Sequence, residues 1–170
     1  MSSIFISTTN HATFKDMSDI FVGADHGGFA LKERAKGWLE ARGLVVHDLG
    51  ASQLDSEDDY PQYALAVAQA VRDQVGMGFL FCRSGGGMSI LANKVPGIRA
   101  VTALTTQEVI KAREDNDANI LNLAGDWLDE PTAQELMMTF IDTPFSGHER
   151  HQRRLEQIAA HEQRVFTNQT

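Results

Sequence analysis

Short apolar runs that stop at glycine or a polar residue alternate with amphipathic stretches along most of this chain. That alternation limits the fold more than any other feature. "DIFVGAD" (19–25) is short, β-branched and apolar, and it ends at Gly27-Gly28. Residues 29–42 then place Phe29, Leu31, Ala35, Trp38 and Leu39 near helical spacing, with charges between them and Gly43 as the stop. Further strands are expected at 44–50, 78–82, 98–104 and 119–125. Further helices are expected at 61–75 (opened by Pro61), 89–95, 107–115, 131–141 and 148–165. Strands alternating with helices imply a parallel sheet covered on both faces. The expected fold is a Rossmann-like, doubly wound five-stranded sheet in a three-layer α/β/α sandwich. No repeat or linker interrupts the pattern, so residues 17–170 read as one domain.

In such folds ligands sit beyond the carboxyl ends of the strands. Asp25 and His26 follow the first strand, Cys82 closes the third, and Ser84 to Gly87 come next in "GFLFCRSGGGMSILANK" (78–94). These groups are expected to converge in space. A glycine run entering a helix can aim several N–H groups at one anion. The same field would draw the Cys82 thiol pKa from about 8.5 toward neutrality, suiting proton abstraction next to a carbonyl. The alternative reading is that Cys82 is a small core residue beside a tight turn. A thiol phosphatase is excluded by Met88, which stands where its arginine belongs. The stretch also lacks a P-loop lysine, and "GGG" is not G-x-G-x-x-G.

Composition narrows the partners. Fifteen basic against 23 acidic residues leave a net charge of -8, which disfavours nucleic acid and anionic membrane. A single cysteine excludes an internal disulfide and fits a reducing, cytoplasmic setting. No run of about 20 apolar residues is present. Residues 1–16 are polar, Ser/Thr-rich and weakly patterned, and read as a poorly ordered extension before a natural start at Met17. Other polar groups have two readings each. Asp25 is either a ligand or a helix cap, and His26 either a ligand or an exposed loop residue. Asp115, Asn116 and Asp117 are either functional or a turn. Arg150 and Arg154, four apart and flanked by His148 and His151, are either a phosphate clamp or a solvated helix face. No spacing suggests a metal site, and no motif suggests a redox cofactor.

Taken together, "ADHGGFALKE", "DYPQYA", "FCRSGGGMSILANKVPGIRAV", "REDNDANIL" and "RHQRR" resemble, in order and spacing, the ribose-5-phosphate isomerase B family. That family includes allose- and galactose-phosphate isomerase subunits, and the resemblance spans about Ile20 to Arg164. It implies metal-free, cofactor-free aldose–ketose isomerisation of a sugar phosphate through a cis-enediolate, in a homodimer or dimer of dimers whose sites draw on both subunits. Ribose 5-phosphate is the default substrate. By position, Cys82 resembles the base moving the proton between C1 and C2, and Ser84 the hydroxyl that shuttles protons between sugar oxygens. The backbone of Arg83, Gly85, Gly86 and Gly87, with Asn116, would hold the enediolate oxygen. Asp25 and Tyr60 would bind sugar hydroxyls, and His26, Arg150 and Arg154 the phosphate.

The sequence departs from that pattern in three places. Asp115 stands where ribose-phosphate isomerases of the family carry a ring-opening histidine. Either Asp115 works with a raised pKa, a neighbouring histidine substitutes, or the substrate is already open-chain, such as a tetrose phosphate. Arg83 replaces a glycine, and either lowers the thiol pKa or points to solvent. "GDW" replaces Gly-x-Arg, so Asp126 and Trp127 are expected to remove one anion contact.

Overall fold

The computed structural model describes residues 19–74 and 76–167. The expectations for residues 1–16 and for a start at Met17 fall outside the described residues. The strands are β1 (Asp19–Ala24), β2 (Val45–Asp48), β3 (Met77–Cys82), β4 (Ala100–Thr102) and β5 (Ile120–Ala124). The helices are α1 (Phe29–Ala41), α2 (Tyr60–Gln74), α3 (Gly86–Ala92), α4 (Thr106–Asn116), α5 (Glu130–Asp142) and α6 (Glu149–Thr167). The strands pair in parallel in the order β2-β1-β3-β5-β4. The chain leaves β1 for one edge and returns to β1's other side as β3. The winding therefore reverses between the carboxyl ends of β1 and β3, where Asp25 and Cys82 stand.

Side chains on β3 alternate as a strand requires. Phe79 and Phe81 enter the core beneath α1, α4 and α5, while Leu80 and Cys82 enter the core beneath α2 and α3. Both faces are dry, which is why β1 and β3 are almost uninterruptedly apolar. Phe79 meets Phe140 of α5 edge-on at 5.7 Å, a geometry worth about 0.5–1.5 kcal/mol beyond the buried area. A buried Lys32 also serves the fold: its Nζ donates to Asp48 and to the Ala51 carbonyl at 2.6 Å, fixing the chain after β2.

Three expected boundaries move, each for a local reason. The third helix begins at Gly86, inside the glycine run, and ends at Ala92 rather than covering 89–95. Asn93 ends it by donating to the Ser89 and Ala100 carbonyls and accepting the Ala100 N–H. The fourth strand shrinks to Ala100–Thr102, because the Ile98 N–H closes a turn onto Val95 and the Leu104 N–H is taken by the Glu108 carboxylate of the α4 capping box. The second strand stops at Asp48, whose carboxylate accepts the Gly50 N–H.

Candidate active site

Cys82, 6% exposed, ends β3 with its Sγ inside a backbone cup. The Gly85 N–H donates to Sγ at 3.2 Å, and the Ser84 and Met88 N–H groups also face it. Gly85 makes this possible by adopting φ +79°, and a Cβ there would stand 2.4 Å from Thr102 Cγ2. Gly87 is required for a different reason: its Cα lies so close under the Tyr60 ring that a Cβ would come within 2.7 Å of it. Ser84 stands exposed at the rim.

The expectation of a thiol drawn toward neutrality is overturned. Burial pushes the Cys82 pKa up, and the nearby Asp25 charge adds to that, outweighing the N–H groups that favour the thiolate. Asp25 is itself buried, which raises its pKa, and its Oδ1 accepts the Gly28 N–H at 3.1 Å. It therefore serves the turn before α1 as well as facing the thiol.

His26 is fixed by a residue the sequence reading did not single out. Asp58 Oδ1 accepts its backbone N–H at 2.9 Å and lies 2.7 Å from its Nδ1. That bond raises the His26 pKa, favouring imidazolium. Burial acts to raise the Asp58 pKa, but the two bonds from His26 prevail and hold it low. Among the four acids of the loop "DSEDD", nothing in the sequence marks Asp58 as the partner. Arg83 does not reach the thiol: its exposed side chain pairs with Asp126 at 3.6 Å, and Trp127 is exposed beside it. Of the two readings of Arg83, the outward one is observed.

The remaining candidates occupy a second cluster. α4 runs back from the carboxyl end of β4, so Asp115 and Asn116 arrive at the amino end of β5, the opposite end of the sheet from Cys82. Asn116 and Asp117 carbonyls there accept from Arg99 Nε, and Asp117, at φ 44°, caps α4. Asp115 lies 3.9 Å from Lys111 Nζ and 3.7 Å from His151 Nδ1. His151 is 2% exposed. Arg150 donates from Nε to His151 Nε2 at 2.9 Å, so the ring proton sits on Nδ1, beside Ser146 Oγ at 2.9 Å. The buried imidazole thus holds the Arg150 guanidinium at the mouth of a hollow of about 270 Å³ lined by His148 and Arg150. Arg154 is exposed one turn further along α6.

One chain therefore brings together Asp25, His26, Tyr60, Cys82, Ser84 and the glycines, and separately Asp115, Arg150 and Arg154. It does not bring the two clusters together. Among the described residues, no three His, Cys, Asp or Glu side chains group to hold a metal ion. No helix among them is long and apolar enough to cross a membrane.

A parallel α/β sheet with a thiol cupped at its switch point, and a guanidinium displayed on a peripheral helix, has the form of an α/β small-molecule site with groups suited to an anion. Residues 20–158 match the family described as Ribose/Galactose Isomerase, and the chain belongs to that family. It is 38% identical over 144 residues to ribose-5-phosphate isomerase B of Mycobacterium tuberculosis, covering 84% of this chain and 89% of that one. Ribose-5-phosphate isomerase B of Clostridium thermocellum superposes with a TM-score of 0.83 at 38% identity, over 86% of this chain and 99% of that one. The Mycoplasma genitalium enzyme, solved with bound ribulose-5-phosphate, gives a TM-score of 0.82 at 34% identity, over 86% and 98%.

Proposed function

We propose that this chain is a cytoplasmic ribose-5-phosphate isomerase of the B type, interconverting ribose 5-phosphate and ribulose 5-phosphate in sites shared between two copies. The observation that carries the reading is Cys82: a lone thiol, facing backbone N–H groups and the Asp25 carboxylate, at the switch point of the sheet. As thiolate, Cys82 takes the proton from C2 of the open aldose. The electron pair left behind forms the C1–C2 double bond of a cis-enediolate, whose oxygen charge the Gly85–Gly87 backbone would stabilise. Return of that proton to C1, with Ser84 moving a proton between O1 and O2, gives the ketose. Asp25 and Tyr60 hold hydroxyls, and His26, whose protonated form the bond to Asp58 favours, faces the phosphate.

The second copy contributes the other cluster. Arg150 and Arg154 would meet the phosphate, Asn116 the enediolate oxygen, and Asp115 would serve the opening of the sugar ring. The geometry of a single chain supports this division, since its own Asp115 and Arg150 lie at the far end of the sheet from its own Cys82. Turnover of ribose 5-phosphate beside erythrulose 4-phosphate and a hexose 6-phosphate tests the substrate. The reading expects ribose 5-phosphate to give the highest kcat/KM, and a clear win for either other sugar overturns it.

A further inference from the structure

Behind the cup, β5 carries a polar residue within an otherwise apolar run. Asn122 is fully buried on β5, in register with Leu80 of β3 and Thr102 of β4. Its Nδ2 donates to the Gly85 carbonyl and, at 3.2 Å, to Ser89 Oγ. Ser89 Oγ lies 2.9 Å from Thr102 Oγ1, which donates to the same Gly85 carbonyl at 2.9 Å. A carbonyl only accepts, and this fixes the direction of every bond in the set. Thr102 spends its proton on Gly85, so Ser89 donates to Thr102 and accepts from Asn122. Both Asn122 N–H protons are then used, and the amide can only turn its oxygen toward Cys82, where Oδ1 lies 3.9 Å from Sγ.

We propose that Asn122 is a positioning residue for Cys82: its side-chain oxygen, aimed by Gly85 and Ser89, accepts the hydrogen bond of the S–H group and holds the resting thiol in the cup. The Gly85 turn that presents the N–H to Sγ keeps its second brace, the Thr102 hydroxyl on the Gly85 carbonyl, when the amide is removed, so loss of Asn122 takes away the acceptor and leaves the donors. Asn122 Oδ1 stabilises S–H and opposes the thiolate, whereas the Ser84, Gly85 and Met88 N–H groups favour the thiolate. The titratable group facing the sulfur is Asp25, from the end of β1. α3 presents backbone N–H groups, β5 the uncharged amide, and α2 the Tyr60 ring over Gly87. With the resting state protonated, the base becomes competent on losing a proton, and the acid limb of the rate profile follows the thiol. That kinetic consequence rests on Cys82 being the base; the thiol's own bonding does not.

The chain has one cysteine, so its thiol can be read without ambiguity. The S–H stretching band of the wild-type protein should lie below that of a free thiol, and in Asn122→Ala it should return to the free position. The thiolate ultraviolet absorbance of Asn122→Ala should titrate about one pH unit lower than wild type, and the acid limb of kcat should move with it. Ser89→Ala, which leaves the Gly85 bond to steer the amide, should keep most of the wild-type band shift. A wild-type band at the free-thiol position overturns the proposal even if Asn122→Ala fails to fold, as does an unchanged or raised thiol midpoint in that variant. A merely structural Asn122 would lower thermal stability and leave band and midpoint where they are. Failure of the isomerase reading is distinct: Cys82→Ala would then turn over substrate normally, whatever the S–H band shows.

Discussion

At the carboxyl ends of the strands, the donors available to an anion are backbone N–H groups set in place by Gly85 and Gly87. At the amino ends they are long guanidinium side chains on α6, of which Arg150 is steered by a buried imidazole. The first arrangement is stiff, because a left-handed glycine and a close ring contact fix it, and it suits charge that develops at one atom during a reaction. The second is a charge on a flexible stem, held by a single bond to His151, and suits a group that must be gripped and released. Under the proposed function the two ends divide the work. The cup would carry the proton transfer at carbon, and the α4–α6 corner would bring Arg150 and Arg154 to the phosphate and Asp115 and Asn116 to the sugar oxygens.

The sharpest break between them is kinetic. Cys82→Ala should cost about 10²–10⁴-fold in kcat, with sugar-phosphate affinity nearly unchanged, as turnover and calorimetry would report. Arg150→Ala should act on the other side, raising KM by about 10- to 100-fold, the loss expected for charged hydrogen bonds, with a smaller change in kcat. Equal effects of both substitutions on kcat would dissolve the division. Gly85→Ala should lower stability by about 1–3 kcal/mol from its positive φ alone, with the Thr102 overlap adding to it, and thermal melting checks this. A substitution on the exposed face of α6, such as Arg153→Ala, should leave melting nearly unmoved.

A pH effect concerns His26. Its pKa is raised by the bond to Asp58, so the folded state holds the proton to higher pH than the unfolded chain. That contribution to stability is full below the unfolded value of about 6.5 and fades as pH rises through the folded value. Asp58, held low, sets the other limit: its share is lost as pH falls through its depressed folded value. NMR titration of His26 should give a midpoint above that of a free imidazole, and Asp58→Asn should bring it down.

The cup was readable because it is local. Cys82, Ser84 and the three glycines are six consecutive residues with Arg83, and the rule that ligands gather beyond the strand ends placed Asp25 and His26 beside them. What escaped was long-range. Nothing around Asp58 separates it from its acidic neighbours, since its partner lies 32 residues away. Asn122 did leave a signal, an amide in the middle of the apolar run "NILNLAG", because a buried amide must find partners. The thiol's direction of titration was misread because helix and glycine N–H groups are visible in a sequence, whereas the burial that outweighs them is not. The separation of Asp115 and Arg150 from Cys82 follows from a parallel crossover, in which a helix returns the chain to the strands' amino ends.

The central claim is that the two clusters work together only across two copies of the chain. Cys82→Ala and Arg150→Ala, each nearly inactive at low substrate, should be unfolded, mixed in equal amounts, refolded and assayed together. If sites are shared in a dimer, half of the assemblies are mixed and each contains one intact site, so about a quarter of wild-type activity should return. Activity no greater than the sum of the two separate variants would contradict the account.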